Sequence, residues 1–420
     1  MTVEASGQDD QLLDPGGRFG DPLPAGVTLV LIEIDWQQGI SRFVRSDGKE
    51  AVIPEKTLFR PDDPVISKST YFIEANVLMV ETRRGEVIGA ELPQLGVQTP
   101  LGGRPVIYLD QKDWSALANT LYSPERVADG ERNAASKLID LARARKIILP
   151  LSSGHMAETT QWRNNDRRYS LALTIAQLSW GWQLQDPLTV RRSELKQALR
   201  GHLGEEHRIP DRDVFTLAPR AIHSSRLSAP KSSAGQVLPP ELQLAADAMT
   251  SISIHMSVML GEDPIPHMVA DGWATKFQTI TDWFAKESKN SREKRLVTDL
   301  QFIIDIRTEM AKAAAEVGMS VKQLEEWVMG HWQDEVAAMP SLGLYREILH
   351  EKQVNSGTVW KANDLTDLMY LSCAAGYADY VVGERSSISQ MRQSNRRLGR
   401  PDNLYKNLSE LVSSGVLDSL

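Results

Sequence analysis

Two short apolar runs, each ending on an acid and each followed by helical sequence, constrain this chain more than any other feature. One, 106–109, ends at Asp110; the other, 380–383, ends at Glu384. Runs that are apolar at consecutive positions suit strands buried on both faces, which belong to parallel sheets connected by helices. After Asp110 the pattern predicts a helix from about Trp114, a helix over 133–145 and a second strand over 146–151. Asn363-Asp364 opens another helix running to about 375, directly before the strand that ends at Glu384. Between these halves the sequence is mostly helical, with amphipathic spacing over 242–260, 273–284, 296–310 and 321–332. The expected fold class is α/β, a parallel sheet with a long helical insertion at about 165–350. Residues 216–241, rich in Pro, Ser and Ala, read as a loop within that insertion.

A separate module precedes the sheet. Residues 27–103 read as small and β-rich, with strands over 28–35, 51–53 and 71–82 divided by Gly, Asp and Pro clusters. Turn chemistry at 99–105 places a boundary near residue 103, so 104–420 forms the second domain. The first 26 residues carry Glu4, Asp9, Asp10, Asp14 and Asp21 against Arg18, and read as a disordered acidic tail unlike a signal peptide. No run reaches the roughly 18 to 20 apolar residues of a membrane span, so a cytoplasmic protein with no membrane partner is expected. One cysteine among 420 residues excludes a disulfide framework, and Cys373 reads as a buried small hydrophobe. A formal charge of −8 argues against a protein that coats nucleic acid through net charge, so an anionic substrate must be held locally.

Asp110, Glu158, Asp364 with Asp367, and Glu384 share one context, the carboxyl end of a strand or the start of the next helix. In a parallel sheet those places are neighbours in space. Carboxylates gathered there raise one another's pKa unless a cation neutralises them, and hard oxygen donors suit Mg²⁺ or Mn²⁺. Such ions can activate water for in-line attack on phosphorus.

The stretches VIYLDQKDWSALA, LPLSSGHMAET and NDLTDLMYLSCAAGYADYVVGER together resemble the PIN-like metal-dependent nuclease domain. The resemblance covers about 105–160 and 355–400. It implies a Rossmann-like α/β/α fold and endonuclease activity, usually on RNA, with Asp110, Glu158, Asp367 and Glu384 at the catalytic and metal-site positions and Asp364 as an accessory ligand. Two features depart from the family: the insertion separates the second and third acids, and the fourth acid is Glu384, with Gly383 where a hydroxyl residue often stands.

Each acid also has a plainer role. Asp110 and Asp364 can cap the helices that follow them, Asp367 and Glu158 can be first-turn acids favoured by the helix dipole, and Glu384 can pair with Arg385 on the surface. Asp113 and Asp379 read as solvated or capping residues. His155 reads as structural, since His-x-x-Glu is not a zinc-peptidase motif and one cysteine allows no Cys-x-x-Cys pair. Arg385, Arg392, Arg396, Arg397 and Arg400 follow the fourth acid without an intervening acid and form a candidate phosphate track. Arg163, Arg167 and Arg168, with Trp162 for stacking, form a second cluster expected on the helix of Glu158. P-loop, dinucleotide-binding and nucleophile-elbow motifs are absent, and Asp110-Gln111-Lys112-Asp113 lacks the spacing of an aspartyl-phosphate enzyme.

The resulting expectation is a metal-dependent endoribonuclease using Mg²⁺ or Mn²⁺, in the role of a toxin or defence effector, with a homo-oligomeric or regulatory partner left open. The alternatives are a catalytically silent PIN-like scaffold that binds RNA or protein, and a DNA-directed nuclease.

Overall fold

Apolar and polar side chains alternate through 29–91, and alternation buries one face of a strand and leaves the other wet. In the computed structural model, which describes residues 24–54, 64–93, 101–205, 214–219, 221–222, 240–261, 271–287 and 289–420, this stretch forms a six-stranded antiparallel sheet. Its strands are β1 (Leu29–Asp35), β2 (Ile40–Arg45), β3 (Glu50–Pro54), β4 (Ile66–Phe72), β5 (Val77–Thr82) and β6 (Val87–Glu91), in the order β3-β2-β1-β4-β5-β6. Ile32, Ile34, Ile66, Tyr71, Leu78, Val80, Ile88 and Ala90 are buried. The single strand expected over 71–82 is two strands. Asn76 takes a left-handed φ of 48° in the turn between them, where its side chain accepts from the Tyr71 hydroxyl at 2.8 Å.

The chain continues through β7 (Ile107–Leu109), α1 (Gln111–Tyr122), α2 (Asp129–Arg143), α3 (Ser153–Thr160), α4 (Asn165–Ser179), β8 (Gln183–Leu184), α5 (Pro187–His202) and β9 (Phe215–Thr216). It then runs through α6 (Pro240–Leu260), α7 (Asp271–Lys286), α8 (Ser291–Glu316), α9 (Val321–Gly330), α10 (Trp332–Ala338) and α11 (Pro340–Val354). The last elements are α12 (Asp364–Tyr377), β10 (Tyr380–Val382), α13 (Arg385–Arg397), β11 (Leu404–Tyr405) and α14 (Leu408–Ser413).

Two compact units divide these elements. One takes residues up to 98 with 217–220 and 227–263; the other takes the rest. Helix α6 therefore joins the antiparallel sheet, although its sequence lies within the expected insertion. It packs on β4, and Ser69 and Ser253 share a buried hydrogen bond of 3.0 Å. The physical reason is that one face of an isolated sheet needs an apolar cover, which α6 supplies with Met249, Ile252 and Met256. The acidic tail is outside the described residues as far as residue 23. So are 220 and 223–239 of the expected loop, whose first residue, Thr216, ends the strand β9 and whose last two, 240–241, begin α6.

In the second unit β7 lies parallel to β10, which lies parallel to β11. Ile107, Tyr108, Leu109, Val381 and Val382 are all buried, as the continuous apolar runs require. The strand expected over 146–151 reduces to isolated parallel bridges, Val106 with Ile148 and Leu151 with Gln183. Pro150 has no N–H to give a ladder, and Arg145 before the segment has a left-handed φ of 54°. Among the described residues the protein is thus a mixed α/β chain, mostly helical, with a six-stranded antiparallel sheet, a small parallel sheet of β7, β10 and β11, and a two-stranded antiparallel pair of β8 and β9. No described helix is long and apolar enough to cross a membrane.

Candidate functional site

Strand register alone brings the first and last acids together. Leu109 pairs with Val382 in parallel, so Asp110 and Glu384 leave neighbouring strands at the same end. The Asp110 amide donates to the Val382 carbonyl at 2.9 Å, and its carboxylate accepts from Gln111 N at 2.8 Å and from the Glu384 backbone N–H. Asp110 is therefore both the cap of α1 and a wall of the crevice. Helix α1 accordingly begins at Gln111, one turn before the start that its apolar spacing suggested.

Two further contacts carry Glu158 and Asp367 to the same place. Gln111 Nε2 donates to Thr159 Oγ1 at 2.8 Å in a buried bond, tying the residue after Asp110 to the residue after Glu158. Helices α3 and α12 approach through Gly154, where a Cβ would meet the Tyr370 ring at 3.3 Å, and Ser153 and Tyr370 join their hydroxyls in a hydrogen bond. Glu158 is one turn beyond Gly154 and Asp367 about one turn before Tyr370, so the two acids face the gap between the helices. Asp110 and Glu158 are partly buried, while Asp367 and Glu384 stand on the solvent side.

The electrostatics register this convergence. Burial pushes the Glu158 carboxyl up to about 7, reinforced by the charges of Asp367, Asp110 and Glu384. Asp367 is also raised to about 7. Although part of it reaches solvent, surrounding protein displaces much of its water, and Asp110, Asp364 and Glu384 add repulsion that Lys352 opposes. Asp110 is raised by burial and, less, by Glu384, against the pull of its two backbone donors and Lys112. In all three burial is the larger cause, and the neighbouring carboxylates add to it.

Asp364 is engaged elsewhere. It is the first residue of α12, not its cap, and accepts from Lys361 N at 2.8 Å with Lys352 Nζ at 3.4 Å. Asp113, expected as a solvated or capping residue, is 2% exposed and lies in the first turn of α1, which Asp110 caps; burial raises its carboxyl well above the ordinary range, and Oδ2 makes no hydrogen bond among the described residues. The apolar side of α1 carries it inward with Trp114 and Leu117. Asp379 accepts from Val106 N at 2.7 Å and so steadies the start of β7. His155 is buried, lowered to about 4 by desolvation, stacked on Tyr108 and bonded through Nδ1 to Ser152 N, a neutral structural residue.

The arginines divide. Arg392 binds Asp402, Glu410 and the Leu404 carbonyl, and Arg400 binds the carbonyls of Pro340, Ala337 and Met339. Both hold the fold, which removes Arg392 from the expected phosphate contacts. Arg397 pairs with Glu351 at 2.6 Å, while Arg385 and Arg396 are exposed. Arg163 and Arg167 are also exposed, but not on the helix of Glu158. Helix α3 stops at Thr160, and Asn164 caps a new helix by accepting from Arg167 N at 3.0 Å. Arg168 is buried and Trp162 partly so.

Compared with models of protein families, with curated proteins and with solved structures, the chain matches none. The reading of the site therefore stands on its chemistry.

Donor spacing adds a qualification to that chemistry. Among the described residues, the one group of three metal-type side chains with donor atoms within 4.8 Å of one another is His202, His331 and Glu335, on α5, between α9 and α10, and on α10. The crevice carboxylates stand wider apart. All four are oxygen donors, which fits a hard cation and not a soft one. Sequence reasoning missed Gln111, Thr159, Ser153 and Tyr370, the residues that bring the acids together, because neutral polar side chains carry no motif. His331 and Glu335 have the i, i+4 spacing that could have been noticed; His202 could not, being remote in sequence.

Proposed function

We propose that the crevice at the carboxyl ends of β7 and β10 is the active site of a PIN-like, metal-dependent endonuclease acting on RNA. The observation that carries this reading is the convergence of Asp110, Glu158, Asp367 and Glu384, from separate parts of the chain, with Glu158 and Asp367 both raised to about 7. Those four residues would hold Mg²⁺ or Mn²⁺, with Asp364 acting through Lys352 and the first turn of α12. A bound ion of this kind supplies a water of lowered pKa and stabilises the leaving oxygen. The chain's own part is to position. Asp110 is fixed by two backbone donors, Gln111 and Thr159 set the distance between α1 and α3, and the open side at Asp367 and Glu384 admits a polymer. Without an ion Glu158 and Asp367 hold protons near neutrality, and a bound cation would displace those protons and keep both carboxylates ionised. Arg385, Arg396, Arg163 and Arg167 supply exposed cations for a phosphate backbone. Hydrolysis would leave 5′-phosphate and 3′-hydroxyl ends. RNA over DNA rests on the resemblance, and a toxin or defence role rests on the size and the added modules of the chain.

The test is cleavage of single-stranded RNA and DNA in Mn²⁺, Mg²⁺ or EDTA, wild type against Asp110→Asn. Metal-dependent cutting that the substitution abolishes supports the reading, and the polymer cut identifies the substrate. The wide spacing of the carboxylates favours one other reading, a silent scaffold. Absence of cutting together with unchanged Mn²⁺ affinity in Asp110→Asn would select it.

A further inference from the structure

A second cluster, of side chains whose atoms are metal donors, lies apart from the acids, and two of its members, His202 and Glu335, line a cavity of about 620 Å³ in the second unit. His202 ends α5, His331 joins α9 to α10, and Glu335 is one turn further on, so His331 and Glu335 occupy the i and i+4 positions of one face. The imidazoles of His202 and His331 are 4.7 Å apart between centroids. His202 Nδ1 stands 3.8 Å from Glu335 Oε1, and one donor atom from each of the three residues lies within 4.8 Å of the others.

Two features distinguish this arrangement from a surface ion pair. At 3.8 Å His202 and Glu335 are within ion-pair reach but beyond a hydrogen bond, whose length is about 2.7–3.2 Å. Two ligands at about 2.0–2.1 Å from a tetrahedral ion lie about 3.3 Å apart, which small rotations of these side chains would reach. The other carboxylate oxygen is already held: the buried Trp327 indole donates to Glu335 Oε2 at 2.7 Å, which turns Oε1 toward the histidines. An outer hydrogen bond of this kind orients a ligand before the ion arrives. The cavity's other carboxylate is unavailable, since Glu194 accepts from Ser341 N, Leu342 N and the Tyr377 hydroxyl.

We propose that His202, His331 and Glu335 bind one divalent transition ion of the Zn²⁺ class, with its fourth position open toward the cavity. Two imidazoles and one carboxylate suit Zn²⁺ or Co²⁺ and not Mg²⁺. Three protein ligands with an open position make a site that can hold water or a small anion, unlike a closed structural zinc. The cavity beside it, lined by Gln197, Met339 and Tyr377, sets the size of what can reach that position. The proposal does not depend on the nuclease reading, because it draws on different side chains and a different ion.

The test is a titration of the metal-stripped full-length protein with Zn²⁺ by calorimetry and with Co²⁺ by visible absorption, in wild type, His331→Ala, Glu335→Gln and Asp110→Asn. The result expected is one equivalent bound in wild type and Asp110→Asn, with tetrahedral or five-coordinate Co²⁺ bands, and at least about tenfold weaker binding in both site variants. His331 is exposed and Glu335→Gln keeps the Trp327 contact, so each tests the site without relying on the other's folding. No Zn²⁺ uptake by wild type, or uptake equally tight in both site variants, would overturn the proposal. Loss of Zn²⁺ binding only in Asp110→Asn would move the ion to the acid crevice and overturn it as well.

Discussion

Helix α12 touches two chemically different regions. At its first turn Asp367 faces the strand ends, where every candidate donor is an oxygen; at its last residue, Tyr377, it lines the cavity that meets His202 and Glu335. Fourteen residues at 1.5 Å each put about 20 Å between these ends. The acid end is crowded with like charge and carries raised carboxyls. The cavity end is sparing with charge: Glu194 is satisfied by three donors and Glu335 by Trp327. The difference teaches that ion preference follows from donor type and from what already occupies each donor, not from the number of acids.

The largest expected effect separates the two ends by function. Glu158→Gln and Asp367→Asn should each reduce Mn²⁺-dependent RNA cleavage by more than the 10- to 100-fold that loss of an outer partner of a metal ligand costs. Zn²⁺ binding measured on the same preparations should not change. Cleavage at the wild-type rate in either variant would break the comparison at its acid end.

Next in size is a packing change near the cavity end. A Cβ at Gly376 would lie 2.7 Å from the Pro340 carbonyl carbon and oxygen, so Gly376→Ala must part α11 from α12. Overpacking of this kind costs about 1–3 kcal/mol, to be read from the denaturation midpoint at constant m-value. Equal stability of variant and wild type would mean that the crossing yields more easily than its backbone contacts suggest.

A smaller effect follows from the raised carboxyls. Glu158 and Asp367 bind protons up to about pH 7 in the folded protein but only to about pH 4 when unfolded. The folded state therefore holds more protons between these values, and metal-free stability falls as pH rises from 4 through 7. The melting temperature at pH 8 should lie below that at pH 5, Mn²⁺ should recover part of the loss, and Asp367→Asn should flatten the profile. A melting temperature that rises over this range in the metal-free wild type would contradict the assigned crowding.

The smallest effect concerns the arginines. Arg385→Ala and Arg396→Ala should weaken RNA binding a few-fold and reduce the slope of log affinity against log salt by about one each, with stability unchanged. Arg392→Ala should instead lower stability, since Asp402, Glu410 and the Leu404 carbonyl lose their partner. Filter binding at several salt concentrations, with thermal melts, separates the two classes. An unchanged salt slope in Arg385→Ala and Arg396→Ala would remove α13 from the nucleic-acid face.

Much of the frame was legible in the sequence. Consecutive burial marked β7 and β10, and alternation marked β1. The acids at the strand ends could be named in advance because parallel strands place their carboxyl ends together whatever the chain does between them. Less legible were β2 and β6, where short alternation resembles ordinary loop sequence, and the stretch around Pro150, where an apolar run predicts a strand that a missing N–H reduces to bridges. Asp113 read as a solvated or capping residue and is buried; Arg392 read as a substrate contact and is a brace.

Local pattern therefore marked β7 and β10, and determined that their sheet would be parallel and that acids would stand at its edge, because periodicity, capping and register are properties of neighbouring residues. Tertiary structure alone decided that α6 covers the antiparallel sheet, that Gln111 and Thr159 set the width of the acid crevice, and that His202 meets His331 and Glu335. Those pairings join residues remote in the chain, and the free energy that selects them comes from buried area and satisfied hydrogen bonds, which no local stretch contains.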